Sequence, residues 1–193
     1  ETSHNGSSRF YHHYGPYYFS YSVNNVYFIF LDTTGVTSEK WQRKWLVDEM
    51  INSGKYKYKF VIMNTPPFKL VNTKSLNKSY CDFLTDAFSK YKINAVFTSG
   101  KEVFNNRKIK NVQYFISGGA GGALLLNNQN SFYHYIRVNI KNNKVAYNVI
   151  NEDKPSNLVV LRILRNIWFY VHSIFYLEFF NFMLILGILI FLA

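Results

Sequence analysis

The chain has 193 residues, enough for one domain with a substantial core, and a formal net charge of +11 from 22 Lys and Arg against 11 Asp and Glu. A single cysteine, Cys81, excludes an intramolecular disulfide and a Cys-rich zinc site. The basic residues are scattered along the sequence, without a Lys/Arg stripe interleaved with aromatics, so we expect no nucleic-acid partner.

The first predicted elements are a hairpin and a helix. Residues 17–22 and 26–32 alternate as two strands, joined at Asn24 and Asn25, because Asn tolerates positive φ in tight turns. A helix is predicted over residues 38–53, with Ser38 as its N-cap and Gly54 after its end. Its predicted apolar face consists of Trp41, Trp45, Leu46 and Met50.

The most informative stretch is residues 59–68, KFVIMNTPPF. Its apolar run at 60–63 predicts a strand covered on both faces, which must stop near Asn64 because Pro66 and Pro67 donate no ladder hydrogen bonds. Residues 95–103 repeat this form, with an apolar strand followed by Gly100 and polar side chains. We expect these two strand ends to face one another across a site.

A second helix and a group of short strands complete the predicted domain. The helix spans residues 79–92 and carries a continuous apolar stripe, so it predicts a crossover between two parallel strands. Residues 112–117, 133–140 and 144–150 alternate as an antiparallel flank. The fold class is therefore α/β (α+β), a mixed β-sheet sandwich flanked by helices.

The glycine run at residues 118–122 has two readings. Bare backbone amides can hold a phosphate, but no Gly-Lys-Ser/Thr follows and no helix start is evident. We favour a tight turn that leads into the next strand. Cys81 lies away from the centre of the helical stripe and has no evident base beside it, so a nucleophilic role is not expected.

The composition changes beyond residue 150. Residues 151–157 form a charged, proline-containing linker, and residues 158–193 are largely apolar and aromatic. We expect a membrane-associated segment, with Trp168 and Tyr170 near the lipid headgroups and a transmembrane helix after them. The alternative is a buried C-terminal helix. The side of the membrane stays unassigned.

Three short motifs, in the order in which they occur, resemble motifs of the calcineurin-like metallophosphoesterases. They are the Pro-Pro-Phe that ends at Phe68, the Ser99-Gly100 pair, and the Gly-Gly-Ala-Gly turn that begins at Gly118. The resemblance covers about residues 11–150 and implies the C-terminal half of such a domain. It also implies an N-terminal half with further metal ligands that is missing from this chain, which we expect to be a fragment.

The positions of the family's metal-binding histidines are substituted. Asn64 replaces the histidine before the Pro-Pro pair, and Lys101 and Val103 replace the two histidines of Gly-His-x-His. The resemblance implies a pair of divalent ions, Mn, Fe or Zn, that activate a hydroxide for phosphoester hydrolysis. An amide is a weak single ligand and a valine side chain is none, so we expect that this chain does not bind the ion pair.

The resemblance thus implies a membrane-tethered phosphoesterase domain that is degenerate in this chain, with Asn64 as the one weak metal candidate. The alternative is a non-catalytic binding or scaffold domain for a phosphate-containing ligand or a protein partner. In that case the ammonium of Lys101 would replace the charge of the ions, while Asn64, Gly100 and Asn72 would orient the ligand.

Overall fold

The apolar runs of the sequence form a six-stranded mixed sheet in a computed structural model, which describes residues 11–13, 15–69, 76–119, 124–125, 128–152, 159–177 and 179–192. The chain divides into two compact units, Glu1–Glu152 and Asp153–Ala193. The strands of the sheet are β1 (Phe19–Val23), β2 (Val26–Leu31), β3 (Tyr58–Met63), β4 (Ala95–Thr98), β5 (Phe104–Ile109) and β6 (Val112–Ser117).

The spatial order of the sheet is β1-β2-β3-β4-β6-β5. Strands β2, β3, β4 and β6 run parallel, and the antiparallel strands β1 and β5 form the two edges. The predicted hairpin at Asn24 and the predicted parallel crossover are both present, with Asn24 at a φ of 52°. The mixed α/β class is therefore confirmed.

Two helices cover one face of the sheet, α1 (Glu39–Asn52), followed by a 3-10 turn at Ser53–Lys55, and α2 (Lys78–Lys90). Leu46 of α1 and Leu84 of α2 are fully buried against the sheet residues Val61 and Val96. Burying a side chain of this size contributes about 1.5–3 kcal/mol, so this layer is the main core.

The start of α1 differs from the sequence prediction. Trp41 is 68% exposed, and the polar Gln42 is buried in its place because its side chain bonds to the backbone of Asp32. Ser38 occupies the N-cap position, but its side chain makes no capping bond.

The opposite face of the sheet is covered by a two-stranded sheet, β7 (His134–Lys141) and β8 (Lys144–Asn151). The turn between them is at Asn142 and Asn143, as predicted. Tyr147 of β8 packs on Phe115 of β6, with ring centroids 5.0 Å apart. A second, aromatic core therefore lies between the two sheets.

Two strand predictions are corrected. Val112–Ser117 lies in the six-stranded sheet, parallel to β4 and antiparallel to β5, and is not part of the flank formed by β7 and β8. The edge strand β5 is absent from the prediction because its sequence, FNNRKI, has apolar residues only at its two ends. Its ladder with β6 forms through backbone bonds that need no apolar alternation.

The second unit contains the helices α3 (Val159–Leu177) and α4 (Phe179–Leu192). In the described part of the chain, neither helix combines the length and the apolar character that a membrane crossing requires, so the predicted transmembrane helix is not found. The apolar α4 has 14 residues, about 21 Å against a hydrocarbon core of about 30 Å, and α3 carries Arg162 and Arg165. Of the predicted linker, the structure describes only Asn151 and Glu152.

Candidate functional site

The candidate site lies at the carboxyl edge of the sheet, where β2, β3, β4 and β6 end side by side. Because these strands are parallel, the residues after them meet at one edge: Asp32, Asn64, Ser99 and Gly118. In open α/β sheets this edge is where ligands bind.

The loops after β2 and β3 are joined by side-chain hydrogen bonds. Thr65 donates its backbone N–H to Thr33 Oγ1 at 2.7 Å, and its hydroxyl donates to the carbonyl of Thr33 at 3.1 Å. The carboxylate of the buried Asp32 accepts the N–H and hydroxyl of Thr34 and the N–H of Thr37, at 2.6–2.9 Å. Both carboxylate oxygens of Asp32 therefore accept hydrogen bonds from the loop that follows β2.

The loops after β3 and β4 also meet, as the sequence predicts for residues 59–68 and 95–103. The N–H of Gly100 donates to the carbonyl of Asn64 at 2.9 Å, while the Asn64 side chain is exposed. A Cβ at Gly100 would lie 2.8 Å from that carbonyl oxygen, so the close approach requires glycine here. Asn64 and Gly100 are therefore neighbours.

Lys101 is half-buried, and its backbone carbonyl packs against Gly118. A Cβ at Gly118 would overlap the carbonyl oxygen of Lys101 and approach Glu102 to 2.9 Å. The same carbonyl accepts the N–H of Val103 at 2.8 Å. The loop that carries Lys101 is thus packed tightly on the segment after β6, and the tight turn expected over residues 118–122 stays a prediction. Residues 120–122 and Asn72 lie outside the described residues.

A buried serine–histidine pair at this edge was not predicted from the sequence. His134 is 2% exposed, and its Nδ1 is 2.8 Å from the carbonyl of Phe132, which can only accept, so this nitrogen carries the proton. In the neutral imidazole, Nε2 then accepts from Ser117 Oγ at 3.0 Å. The pair ties β7 to β6. The ring of His134 lies against Gly119, where a Cβ would overlap it. No sequence pattern indicates this contact.

The residues at this edge do not fit the metal pair that the resemblance implies. No group of three His, Cys, Asp or Glu that could hold an ion occurs among the residues the structure describes. The oxygens of Asp32 and both ring nitrogens of His134 are engaged in hydrogen bonds. Lys101 brings a cation to the position of a ligand, and Val103 brings none of the donor atoms.

Cys81 offers no alternative chemistry. It is half-buried, and burial raises the pKa of its thiol, which lowers the fraction of reactive thiolate. Its Sγ lies 3.8 Å from the carbonyl of Leu76.

Comparisons with known proteins find similarity in structure alone. No protein-family model and no curated protein sequence matches the chain. The structure is similar to GAP50, the anchor in the inner membrane complex of Plasmodium, with a TM-score of 0.53 and 12% identity, over 74% of this chain and 51% of that one. It is also similar to the purple acid phosphatase PPD1 from yellow lupin (Lupinus luteus) seeds, with a TM-score of 0.47 and 12% identity, over 64% of this chain and 28% of that one.

The chain therefore spans about half of the length of the GAP50 chain that it matches. At 12% identity the likeness to GAP50 shows a shared fold alone.

Proposed function

We propose that this chain is a degenerate phosphoesterase-like domain that binds a phosphate-containing ligand without hydrolysing it and serves as a membrane-linked scaffold. The observation that carries the proposal is the contact between the loops of Asn64 and Gly100, with Lys101 directly after it. The two loops are bonded to each other, but the positions that correspond to metal-binding histidines carry Asn64, Lys101 and Val103.

Lys101 is the residue on which ligand binding depends. Its loop is fixed by Gly118, so the start of its side chain is well positioned at the carboxyl edge. An ammonium attracts phosphate as a point charge and donates up to three hydrogen bonds, whereas it supplies no activated hydroxide. Exposed Asn64 adds a neutral donor within the same edge.

The scaffold part of the proposal is supported by the fold shared with GAP50, the anchor in the inner membrane complex of Plasmodium. It also draws on the apolar composition of residues 158–193. The second candidate, a metal-dependent phosphoester hydrolase, is favoured by the order of the Pro-Pro-Phe, Ser-Gly and Gly-Gly-Ala-Gly motifs. It requires a set of metal ligands, of which Asn64, Lys101 and Val103 supply at most one amide oxygen.

Calorimetric titration with inorganic phosphate and with an aryl phosphate tests the proposal. Loss of a charged hydrogen bond costs about 1.5–3 kcal/mol, so Lys101→Ala should weaken binding about 10- to 100-fold. The matched control is Lys141→Ala, which removes the same charge from an exposed position on β7. Equal affinity in Lys101→Ala and the unmodified chain would overturn the ligand role, and metal-dependent turnover of the aryl phosphate would favour the hydrolase.

A further inference from the structure

The edge of the sheet opposite the candidate site carries an unusual concentration of lysine. Four segments meet there, residues 24–25, 53–59, 90–94 and 108–111, because β2, β3, β4 and β6 all begin at this edge. We call it the amino-edge surface. It contains seven lysines and neither Asp nor Glu: Lys55, Lys57, Lys59, Lys90, Lys92, Lys108 and Lys110.

Hydrogen bonds connect these segments, so their lysines lie on one continuous surface. The N–H of Lys57 donates to Asn25 Oδ1 at 2.9 Å. The N–H of Lys59 donates to Asn94 Oδ1 at 2.7 Å, and the N–H of Asn94 donates to the carbonyl of Lys59 at 2.9 Å. Lysines that are far apart in the sequence therefore become neighbours only in the fold.

The charge of the surface is largely uncompensated. Lys110 pairs with Asp86 of α2 at 2.5 Å, and this is the one ion pair within the part of the chain that the structure describes. Six of the seven lysines are exposed. Burial and the nearby charge of Lys92 lower the pKa of Lys59, as expected where like charges are crowded.

Two of these lysines occupy backbone positions that disfavour them. Lys92 has a φ of 55° and Lys110 a φ of 47°, in the left-handed region where Gly or Asn fits with less strain. Lys92 follows the end of α2, a position at which helices usually place glycine. Glycine or asparagine would relieve this strain at both positions, and the side chain of Lys110 is held in its ion pair with Asp86.

Tyrosines alternate with the lysines. Lys55 Nζ lies over the ring of Tyr56 at 5.3 Å, and Lys90 Nζ lies over the ring of Tyr91 at 5.2 Å. Tyrosine is enriched where an apolar body meets a wet, charged layer, and lysines near such a layer are attracted to anionic lipids. From this combination we infer that the amino-edge surface docks on a membrane rich in anionic phospholipids.

The side chains favour lipid headgroups over nucleic acid. All seven cations are lysines, which act as point charges toward a diffuse layer of headgroups. Recognition of base edges most often uses the planar, bidentate guanidinium of arginine, and no arginine occurs in these four segments.

Vesicle partitioning of the full chain tests the inference. The measured quantity is the ratio of the partition coefficient on phosphatidylserine-containing vesicles to that on neutral phosphatidylcholine vesicles, so that apolar binding by residues 158–193 contributes equally to both. Each lysine near an anionic surface contributes about a fivefold change in binding. The double variant Lys57→Asn/Lys92→Asn should therefore lower the ratio about 25-fold, since both lysines are exposed and outside the Lys110–Asp86 ion pair, and Asn tolerates the left-handed backbone at position 92.

The matched control is Lys40→Gln/Lys44→Gln, which removes the same charge from exposed positions in the first turns of α1, the helix that follows the carboxyl end of β2. We expect its ratio to change less than about twofold, since these side chains belong to another surface. A ratio near one for the unmodified chain would refute the inference. So would equal losses in both variants, or tighter binding of duplex DNA or RNA that falls in the amino-edge variant alone.

Discussion

Gly118 is the residue on which the geometry of the candidate site depends most directly. Its Cα lies against the carbonyl of Lys101, so any side chain would push the loop of Lys101 away from the sheet. The φ of Gly118 is not in the left-handed region, which means that the requirement for glycine is purely one of space.

We predict that Gly118→Ala destabilises the chain by about 1–3 kcal/mol, the usual cost of forcing extra atoms into a packed region. Urea unfolding followed by fluorescence measures the effect. Gly54→Ala is the control, because nothing lies within 4 Å of a Cβ at Gly54 and the change should stabilise by about 0.4–1 kcal/mol. A Gly118→Ala variant as stable as Gly54→Ala would refute the packing described here.

In α2, the hydroxyl of Tyr80 is buried and makes no hydrogen bond to the described residues. The side chain of Tyr80 is 1% exposed. Burial raises the pKa of Tyr80 to about 12, because ionisation would place a charge inside the helical layer.

Tyr80→Phe should therefore raise the free energy of unfolding at pH 7 by about 1 kcal/mol, the lower end of the cost of an unpaired buried hydroxyl. As the pH rises from about 10 to about 12, tyrosine ionises in the unfolded chain but not in the folded one, so the unmodified chain loses stability. The variant should lose less over this range. Urea unfolding at pH 7 and at pH 11 measures both effects.

Tyr21→Phe is the control for this pair of measurements, since Tyr21 is 45% exposed on the edge strand β1. It should match the unmodified chain at both pH values. A loss of stability in Tyr80→Phe at pH 7 would show that the hydroxyl has a partner after all.

At the level of elements, local pattern predicted those parts of the fold that bury a regular apolar stripe. The periodicity around Leu84 and Phe88 predicted α2, and the apolar run around Val61 predicted β3. The strand β5 escaped prediction because Asn105, Asn106 and Arg107 show no such pattern, and its position is set by pairing with β6.

The site was predictable only in part, for the same reason. Asn64 and Gly100 could be placed at neighbouring strand ends because prolines and glycines mark where strands stop. The pairing of Ser117 with His134 joins two different sheets over 17 positions of sequence, so no local signal announces it. The clustering of lysines at the amino edge is likewise a product of sheet topology.

At the level of the whole molecule, the sheet separates two proposed surfaces. The carboxyl edge carries Asn64 and Lys101, and the amino edge carries seven lysines. Strand β3 connects the two edges with six residues, about 20 Å at the usual rise of an extended chain. A domain docked on anionic lipid by its amino edge therefore presents the carboxyl edge away from the membrane, where a ligand or partner can reach it.

Under the proposed function, the carboxyl edge keeps the frame of a metal-dependent site without the side chains that hold metal ions. The most direct measurement is an anomalous difference map from crystals of this chain grown with excess Mn²⁺ and Zn²⁺. We predict no metal peak between the loops of Asn64 and Lys101. Two peaks there, separated by the roughly 3.5–4 Å of a two-metal hydrolase, would contradict the account.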